Sequence, residues 1–334
     1  MRALIIGGTR NLGPSIVAAL REEGYRVTVF NRGQTPDELP GDIERLHGDR
    51  SNIAQLGKAV AGREFDLVVD TTLYTGPEAE AVIDLFSGRT GRYFFLSTGQ
   101  VYLVRTAVQR PFQEADYAGP VMPEPPQSDE SEHRNWAYGF HKRAAEDAFA
   151  LAWAEREFPF TSLRLPMVNS ERDSYERIYG YFLRLEDGGP ILLPDDGGLP
   201  LRHVYGEDVV RATMRIAKSD AGKGEAYNIG QDETVSLEEF LRLLAGLMQR
   251  PLTIVRLPRA RLERAGLLPH CSPFSDPWMS ALDNARSKRE LGMKYTRLNI
   301  YLRKLVEFYQ SSPRRAIAGL ARRKEESSLA AAAR

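Results

Sequence analysis

Cysteine is almost absent from this chain of 334 residues, which contains only Cys271. A single thiol cannot form a disulfide within the chain, and it excludes a metal site built from several thiolates. Histidine is also scarce, with five residues, and no two of them have the spacing of a metal-binding pair. The sequence therefore predicts no metal site.

An excess of either charge is missing as well, because 45 basic and 45 acidic side chains give a formal net charge of zero. This balance argues against a broad nucleic-acid-binding surface. The apolar run at residues 1–6 is too short for a signal peptide or a membrane span. We therefore expect a cytoplasmic protein that binds neither nucleic acid nor a membrane.

What the chain does have is a regular alternation of short apolar runs and helical patterns. Strands are predicted at residues 2–6, 26–30, 43–47, 67–70, 92–97, 161–165 and 225–230, and helices at 12–23, 53–60, 77–86 and 138–154. This order predicts an α/β fold, a Rossmann-type doubly wound parallel sheet with right-handed crossovers.

The remaining residues predict a smaller C-terminal substrate lobe. Prolines cluster between residues 105 and 134, which indicates an irregular loop beside a site or a flexible surface insertion. The domain boundaries that we predict are 1–168 plus about 204–230 for the dinucleotide-binding domain, and 169–203 plus 231–310 for the lobe. Residues 311–334 are basic and then alanine-rich, so we expect them to be flexible.

A glycine-rich turn joins the first strand to the first helix, from Gly7 to Gly13. Glycines here let the backbone approach a pyrophosphate at the helix N-terminus, although a tight turn without a ligand is the simpler alternative. The turn lies where the binding mechanism requires it. We therefore predict a dinucleotide site that includes Gly7, Thr9, Arg10, Asn11, Leu12 and Gly13.

The second strand ends without the acidic residue that NAD-selective proteins usually place against the ribose hydroxyls. Asn31 and Arg32 stand there instead, and Arg10 replaces the central glycine of the turn. Two guanidiniums can hold a 2′-phosphate with charge-assisted hydrogen bonds; surface positions, or stacking of Arg32 on adenine, are the alternatives. The pattern favours NADP(H), with NAD(H) as the second choice.

Other strand ends should border the cofactor, because the C-terminal ends of parallel strands line the ligand crevice. The residues predicted there are Asp49 and Arg50 after the third strand, Thr71, Thr72 and Leu73 after the fourth, and Ser97 and Thr98 at the end of the fifth. Asp49 can accept a hydrogen bond from the adenine amino group, and helix capping explains it equally well.

Tyr138 and Lys142 lie four positions apart in a predicted helix, so both side chains point the same way. An ammonium about 4–5 Å from a phenol favours the phenolate by about 3–4 kcal/mol at an effective dielectric of about 20. Such a shift would bring the pKa of Tyr138 near neutrality, where it can act as a general acid or base. An exposed pair that supports the helix is the alternative.

Six features occur together in the order of a known family. They are the Gly7–Gly13 turn, Ser97-Thr98 with Val101-Tyr102, Tyr138 with Lys142, Arg164-Leu165-Pro166, His203-Val204 with Asp208, and Tyr227-Asn228-Ile229-Gly230. Over about residues 1–310 the chain resembles the extended short-chain dehydrogenases/reductases, of the NAD-dependent epimerase/dehydratase family. The resemblance implies Tyr138 as general acid/base, Lys142 as the residue that lowers its pKa and holds the nicotinamide ribose, and Thr98 on the substrate oxygen. It also implies Pro166 and Val168 beside the nicotinamide.

Departures from the family pattern bear on the reaction. Dehydratases acting on sugar nucleotides place Asp-Glu after the threonine, whereas this chain has Gly99 and Gln100, so 4,6-dehydration is not expected. The arginine that sugar-nucleotide enzymes usually carry shortly before the His-Val pair is missing, and Arg202 lies in a different register. A nucleotide-sugar substrate therefore stays open.

A few other residues are weaker candidates for the functional site. Trp136, Tyr175, Tyr179 and Phe182 are pocket or core residues. His141 is expected to face away from Tyr138, and His203 is expected to be structural.

The leading hypothesis is an NADP(H)-dependent epimerase or reductase that acts on a small molecule with a carbonyl or secondary alcohol, with a homodimer as a candidate assembly. A looser likeness, carried by residues 7–10, 31–33 and 188–208, is to the branch of chloroplast stem-loop-binding proteins and their bacterial relatives. The alternatives are a non-catalytic Rossmann-fold protein that binds RNA or a protein partner, and a redox-sensing regulator.

Overall fold

Strands and helices alternate through most of the computed structural model, which describes residues 1–196 and 198–333. The strands are β1 (Arg2–Ile6), β2 (Arg26–Asn31), β3 (Glu44–His47), β4 (Leu67–Asp70), β5 (Tyr93–Thr98), β6 (Phe160–Leu165), β7 (Val168–Asn169), β8 (Ile191–Pro194), β9 (Val204–Tyr205), β10 (Glu225–Asn228) and β11 (Ile254–Leu257). The helices are α1 (Gly13–Glu22), α2 (Ile53–Ala59), α3 (Gly76–Phe86), α4 (Gln100–Leu103), α5 (Glu130–Arg156), α6 (Arg177–Glu186), α7 (Gly206–Ala217), α8 (Leu237–Met248), α9 (Arg259–Arg264), α10 (Ala285–Leu291), α11 (Leu298–Ser311) and α12 (Arg323–Ala331).

The central sheet has seven strands within the described residues, in the order β3-β2-β1-β4-β5-β6-β10. All its pairings are parallel, which confirms the predicted α/β class. The order reverses between β1 and β4, and such a switch point opens a crevice at the C-terminal strand ends. The sheet therefore provides the predicted location for a ligand.

Both faces of the sheet are covered, because side chains alternate along each strand. In β1, Ala3 and Ile5 pack in the cluster that contains residues of α1 and α7. Leu4 and Ile6 pack in the opposite cluster, with residues of α2, α3 and α5. The near-continuous apolar runs of the sequence thus correspond to strands buried on both sides.

Helix α5 begins earlier than predicted, at Glu130. The Asp129 side chain accepts a hydrogen bond from the Glu132 amide and caps the helix. The last proline of the preceding segment is Pro126, so no proline interrupts the helix. The end of the segment predicted as irregular is therefore helical.

A second apolar cluster forms the smaller lobe, with α6, α8 and α11 around it. The β8 strand pairs with β11 in parallel, and β7 pairs with β9 beside the main sheet. These elements lie within residues 168–311. The lobe thus has an apolar cluster of its own.

The C-terminal segment differs from our expectation of flexibility. Helix α12 covers Arg323–Ala331, and its Ala330 is buried in a cluster with Leu192 and Leu262. Glu326 is buried against Arg184, a partner that composition could not reveal. Arg334 lies outside the described residues. Along the rest, we find no helix with both the length and the hydrophobicity that crossing a membrane requires.

Candidate active site

A cleft of about 1410 Å³ lies along the C-terminal strand ends. Its lining includes residues of the Gly7–Gly13 turn, of α6 and of the segment 317–319. Drug-sized ligands occupy about 300–1,000 Å³. The cleft is therefore large enough for a dinucleotide together with a second molecule.

The glycine turn places the start of α1 directly against β1. Gly7 has a φ of +100°, and a Cβ there would lie 2.1 Å from Thr71 Oγ1. A Cβ on Gly13 would lie 2.5 Å from the Gly8 carbonyl carbon. Side chains larger than hydrogen are therefore excluded at both positions.

The N-terminus of α1 faces the cleft without a ligand from the chain itself. No side chain caps this helix, its first turn has no acidic residue, and Leu12 and Gly13 line the cleft. Free amides at a helix N-terminus bind phosphate groups. The turn therefore fits the pyrophosphate of a dinucleotide.

Three predicted residues form the rim beside the turn. Arg10 Nη2 donates to Thr35 Oγ1 at 2.5 Å, and Asn31 Oδ1 accepts from the Gly33 amide at 2.7 Å. Arg32 is exposed and lines the cleft. Hydrogen bonds from Ser51 lower the pKa of Asp49, and the charge of Arg32 adds to the effect. Two guanidiniums and one carboxylate thus surround this end.

Of the residues predicted after β3 and β4, all but Leu73 line the cleft. Thr71, Thr72, Asp49 and Arg50 line the cleft. However, the guanidinium of Arg50 is held by Asp70 at 3.0 Å and Glu78 at 3.4 Å.

Leu73 does not line the cleft, since its side chain is completely buried in the core. It contributes only its carbonyl oxygen, which accepts from Lys142 Nζ at 2.6 Å. The prediction of Leu73 as a cofactor residue therefore requires this correction.

Lys142 lines the cleft, although its side chain is almost fully buried. Its Nζ also donates to the Leu96 carbonyl at 2.9 Å, and it lies 5.0 Å from the centre of the Tyr74 ring. Burial lowers the pKa of Lys142 to about 8, although the charges of Asp70 and Glu146 act in the opposite direction. The ammonium is thus fixed by two carbonyl groups and not by Tyr138.

Tyr138 lines the cleft above this lysine, next to Thr98. Burial raises the pKa of Tyr138 above its usual value, Tyr74 adds to the rise, and a hydrogen bond with Thr98 opposes it. The rings of Tyr74 and Tyr138 pack edge to face at 5.2 Å. This differs from the expectation that Lys142 lowers the pKa, because desolvation raises it and the ammonium donates to the carbonyl groups of Leu73 and Leu96.

A buried polar network supports the site from below. Glu146 accepts from Ser97 Oγ and from Arg164, at 2.6 Å to Nη2. Arg164 Nη1 donates to the Tyr102 hydroxyl at 2.7 Å, which donates to Asn228 at 2.8 Å. Several residues that carried the family resemblance therefore form one network.

The other predicted residues have mixed positions. Pro166, Val168 and Ser97 line the cleft, and so does His141, which differs from the expectation that it faces away. Tyr175 lines the cleft, whereas Trp136, Tyr179 and Phe182 are buried elsewhere. His203 is buried with its Nδ1 3.1 Å from Asn169 Nδ2, and burial lowers its pKa to about 3.

Sequence reasoning missed much of the cleft surface. The additional lining residues include Tyr74, Glu78, Asn135, Asp173, Trp278, Met279, Ser280, Ile317, Ala318 and Gly319. Tyr74 directly follows the predicted Thr71–Leu73 strand end and could have been found. Residues 317–319 lie far along the chain, and no motif in the sequence singled them out.

Comparisons with known proteins agree with this arrangement. A profile of the NAD dependent epimerase/dehydratase family matches residues 3–230. The chain is 25% identical to 2′-dehydrokanamycin reductase of Streptomyces kanamyceticus over 262 residues, which cover 77% of this chain and 70% of the reductase.

Two other similarities are weaker. The chain is 23% identical to the chloroplast stem-loop binding protein of 41 kDa b of Arabidopsis thaliana over 257 residues, which cover 73% of this chain and 62% of that protein. Among solved structures, UDP-glucose 4-epimerase of Thermotoga maritima, determined with UDP-glucose, superposes with a TM-score of 0.72 at 19% identity. That comparison covers 93% of this chain and 99% of the epimerase and shows a shared fold. Since the family profile extends over most of the chain, the protein belongs to the NAD-dependent epimerase/dehydratase family.

Proposed function

We propose that the protein is an NADP(H)-dependent reductase that acts on a carbonyl carbon of a polyhydroxylated small molecule, with Tyr138 as general acid. The observation that carries the proposal is the position of Tyr138. Tyr138 lines the same cleft as Thr98 and the Gly7–Gly13 turn. The similar Streptomyces protein is also a reductase.

The cofactor would supply a hydride to the carbonyl carbon, or accept one in the reverse direction, with its pyrophosphate on the Gly7–Gly13 turn. Thr98 would orient the substrate oxygen by a hydrogen bond. Tyr138 would donate a proton to that oxygen, and its raised pKa keeps it in the protonated form that reduction requires. Lys142, held by two carbonyl groups, would stabilise the phenolate left behind and bind the ribose hydroxyls.

Elimination of water does not suit these residues. A Cβ on Gly99 would lie 2.2 Å from Ser280 Oγ, so an acidic side chain would not fit there. Gln100 carries an amide, which cannot exchange a proton as a general acid. This supports a reductase or epimerase over a dehydratase.

The substrate end favours a ligand without a diphosphate. Arg177 is occupied by Asp173, with a contact of 2.8 Å, and Arg184 is occupied by Glu326. A diphosphate would need cations that are free to bind it. Arg134 also lines the cleft, so this pairing disfavours a diphosphate only beside Arg177 and Arg184. The proposed substrate is a ketone of a sugar or cyclitol without a nucleotide.

Replacing Tyr138 by Phe tests the role of its hydroxyl group. We expect kcat for NADPH-dependent ketone reduction to fall by about 10²–10⁴-fold, with unchanged NADPH affinity. Tyr25→Phe, a buried tyrosine outside the cleft, is the control and should keep full activity. Unchanged turnover in Tyr138→Phe would refute the assignment.

Epimerisation uses the same residues and is the second candidate. The purified protein distinguishes the two: a cofactor retained through gel filtration supports an epimerase, and a readily exchanged one supports the reductase. Similarity to the Arabidopsis protein supports RNA binding as a third candidate. Filter binding to structured RNA across a salt series tests it, since phosphate contacts give a steep salt dependence.

A further inference from the structure

The C-terminal segment forms part of the wall of the cleft. Ile317, Ala318 and Gly319 line the cleft, beside Gly180 of α6. A Cβ on Gly180 would lie 3.5 Å from Ile317 Cδ1. The segment therefore packs closely against the helix that borders the substrate half.

A fully buried arginine fixes this wall in place. Arg184, which is 1% exposed, donates to the carbonyl oxygens of Gly319 at 2.8 Å, Gly180 at 3.1 Å and His270 at 3.1 Å. It also donates to both carboxylate oxygens of Glu326, at 2.9 and 2.5 Å. One guanidinium thus joins α6, the segment 317–319 and α12.

The wall presents no free charge to a ligand. The charge of Arg184 is balanced by Glu326, which also accepts from Arg323 Nη1 at 2.9 Å. Ile317 and Ala318 are aliphatic, and Gly319 contributes only backbone. A ligand end that meets this wall should therefore be compact and should not carry a phosphate.

We propose that residues 317–319 form the end wall of the substrate half and limit the size of the substrate, with Arg184 and Glu326 as a positioning pair. The limit on substrate size rests on the proposed function, because it presupposes a substrate in this cleft. The position of residues 317–319 rests only on the hydrogen bonds of Arg184.

A bulky substitution in the wall tests this proposal. Ala318 and Ala316 are both exposed, but only Ala318 lines the cleft. Ala318→Trp therefore adds bulk to the cleft, and Ala316→Trp adds the same bulk outside it. NADPH-dependent reduction is measured with a one-ring ketone, scyllo-inosose, and a three-ring ketone, 2′-dehydrokanamycin. We expect Ala318→Trp to lower kcat/KM for the three-ring ketone by about tenfold or more relative to the one-ring ketone. An equal effect on both, or no effect, would overturn the proposal, and unchanged NADPH affinity shows that the variant is folded.

Absence of turnover with both ketones in the unmodified protein would contradict the proposed function but not the wall. In that case, the variants Ala318→Cys and Ala316→Cys test the wall without any turnover. A small thiol reagent should label both, and a polyethylene glycol maleimide should label Cys at 318 several times more slowly, because the cleft restricts its approach. Equal rates with the large reagent would overturn the wall. Cys271 is buried and does not compete.

Glu326→Gln tests the positioning pair, with the exposed Glu325→Gln as control. We expect Glu326→Gln to reduce the preference between the two ketones, because the wall loses its fixed position. A merely structural role would lower the melting temperature and affect both ketones equally, which would contradict positioning.

Discussion

Tyr138 shows how the surroundings of a residue can reverse an argument made from spacing. The four-residue interval places Lys142 below it, but the lysine donates to the carbonyl groups of Leu73 and Leu96. Burial raises the pKa of the phenol and lowers that of the ammonium. In this state the phenol is a proton donor, which is the form that reduction uses.

The depressed pKa of Lys142 predicts a pH dependence of stability. In the folded chain this pKa is about 8, against an ordinary value of 10.5. Between these values the unfolded chain binds the proton and the folded chain does not, so the free energy of unfolding rises with pH. We expect wild type to gain stability relative to Lys142→Met between pH 8 and 10, with no trend below pH 8. Urea unfolding at several pH values measures it; a falling difference would contradict the shift.

Arg10 and Arg32 predict the choice of cofactor. Removing both guanidiniums, in the Arg10→Ala, Arg32→Ala double variant, should weaken NADPH binding by about 10²- to 10⁴-fold, since each charge-assisted contact contributes about 1.5–3 kcal/mol. NADH binding should change little. Fluorescence titration measures both, with Arg303→Ala, an exposed arginine of α11, as control. Equal losses for the two cofactors would show that the arginines do not read the 2′-phosphate.

At the scale of elements, helix α5 carries both candidate site residues and a residue that anchors the helix in the protein core. Tyr138, Lys142 and Glu146 follow one another at four-residue intervals and therefore lie on one face of the helix. Tyr138 and Lys142 line the cleft, and Glu146 pairs with Arg164 of β6. A shift of α5 would move all three together.

The Arg164–Glu146 pair predicts a large effect on stability. Its side chains are 6% and 4% exposed, so Glu146→Ala leaves a buried guanidinium without its carboxylate and should cost about 3–5 kcal/mol. Asp84→Ala removes the partner of Arg156, also on α5, from a pair that is 69% and 50% exposed. That control should cost about 0–1 kcal/mol. Equal costs in chemical denaturation would show that the buried network does not anchor the helix.

At the scale of the whole molecule, the C-terminal segment completes the smaller lobe. It supplies Ala330 to the cluster around Cys271 and Leu262, and Glu326 to Arg184. The lobe and one end of the cleft therefore depend on residues at the far end of the chain.

Removal of the C-terminal segment should destabilise the smaller lobe. A chain ending at Ser311 should lose at least about 3 kcal/mol of stability, because Arg184 loses its buried partner. It should also expose Cys271, which is completely buried in the full chain. Reaction with a thiol-specific chromogenic reagent should change from slow to fast. A chain ending at Ala332 is the control, and an unreactive Cys271 in the shorter chain would contradict the role of the segment.

The sequence by itself determined the fold class and predicted residues that line one cleft at the strand ends. Apolar runs, helical periods and the Gly7–Gly13 turn are local patterns, and local patterns specify strands, helices and the turn between them. Because parallel strand ends meet at one edge of the sheet, the residues predicted after each strand came together there. Leu73 was the exception, since whether a backbone carbonyl or a side chain faces the cleft depends on packing.

Only the tertiary structure decided the environment of those residues and the substrate half of the site. The direction of a pKa shift depends on burial and on neighbours such as Tyr74, which spacing along the chain does not specify. The Arg184–Glu326 pair joins residues 142 positions apart, and no local pattern encodes such a contact. The contribution of residues 317–319 to the cleft is therefore a property of the folded chain, whereas the glycine turn was already evident in the first thirteen residues.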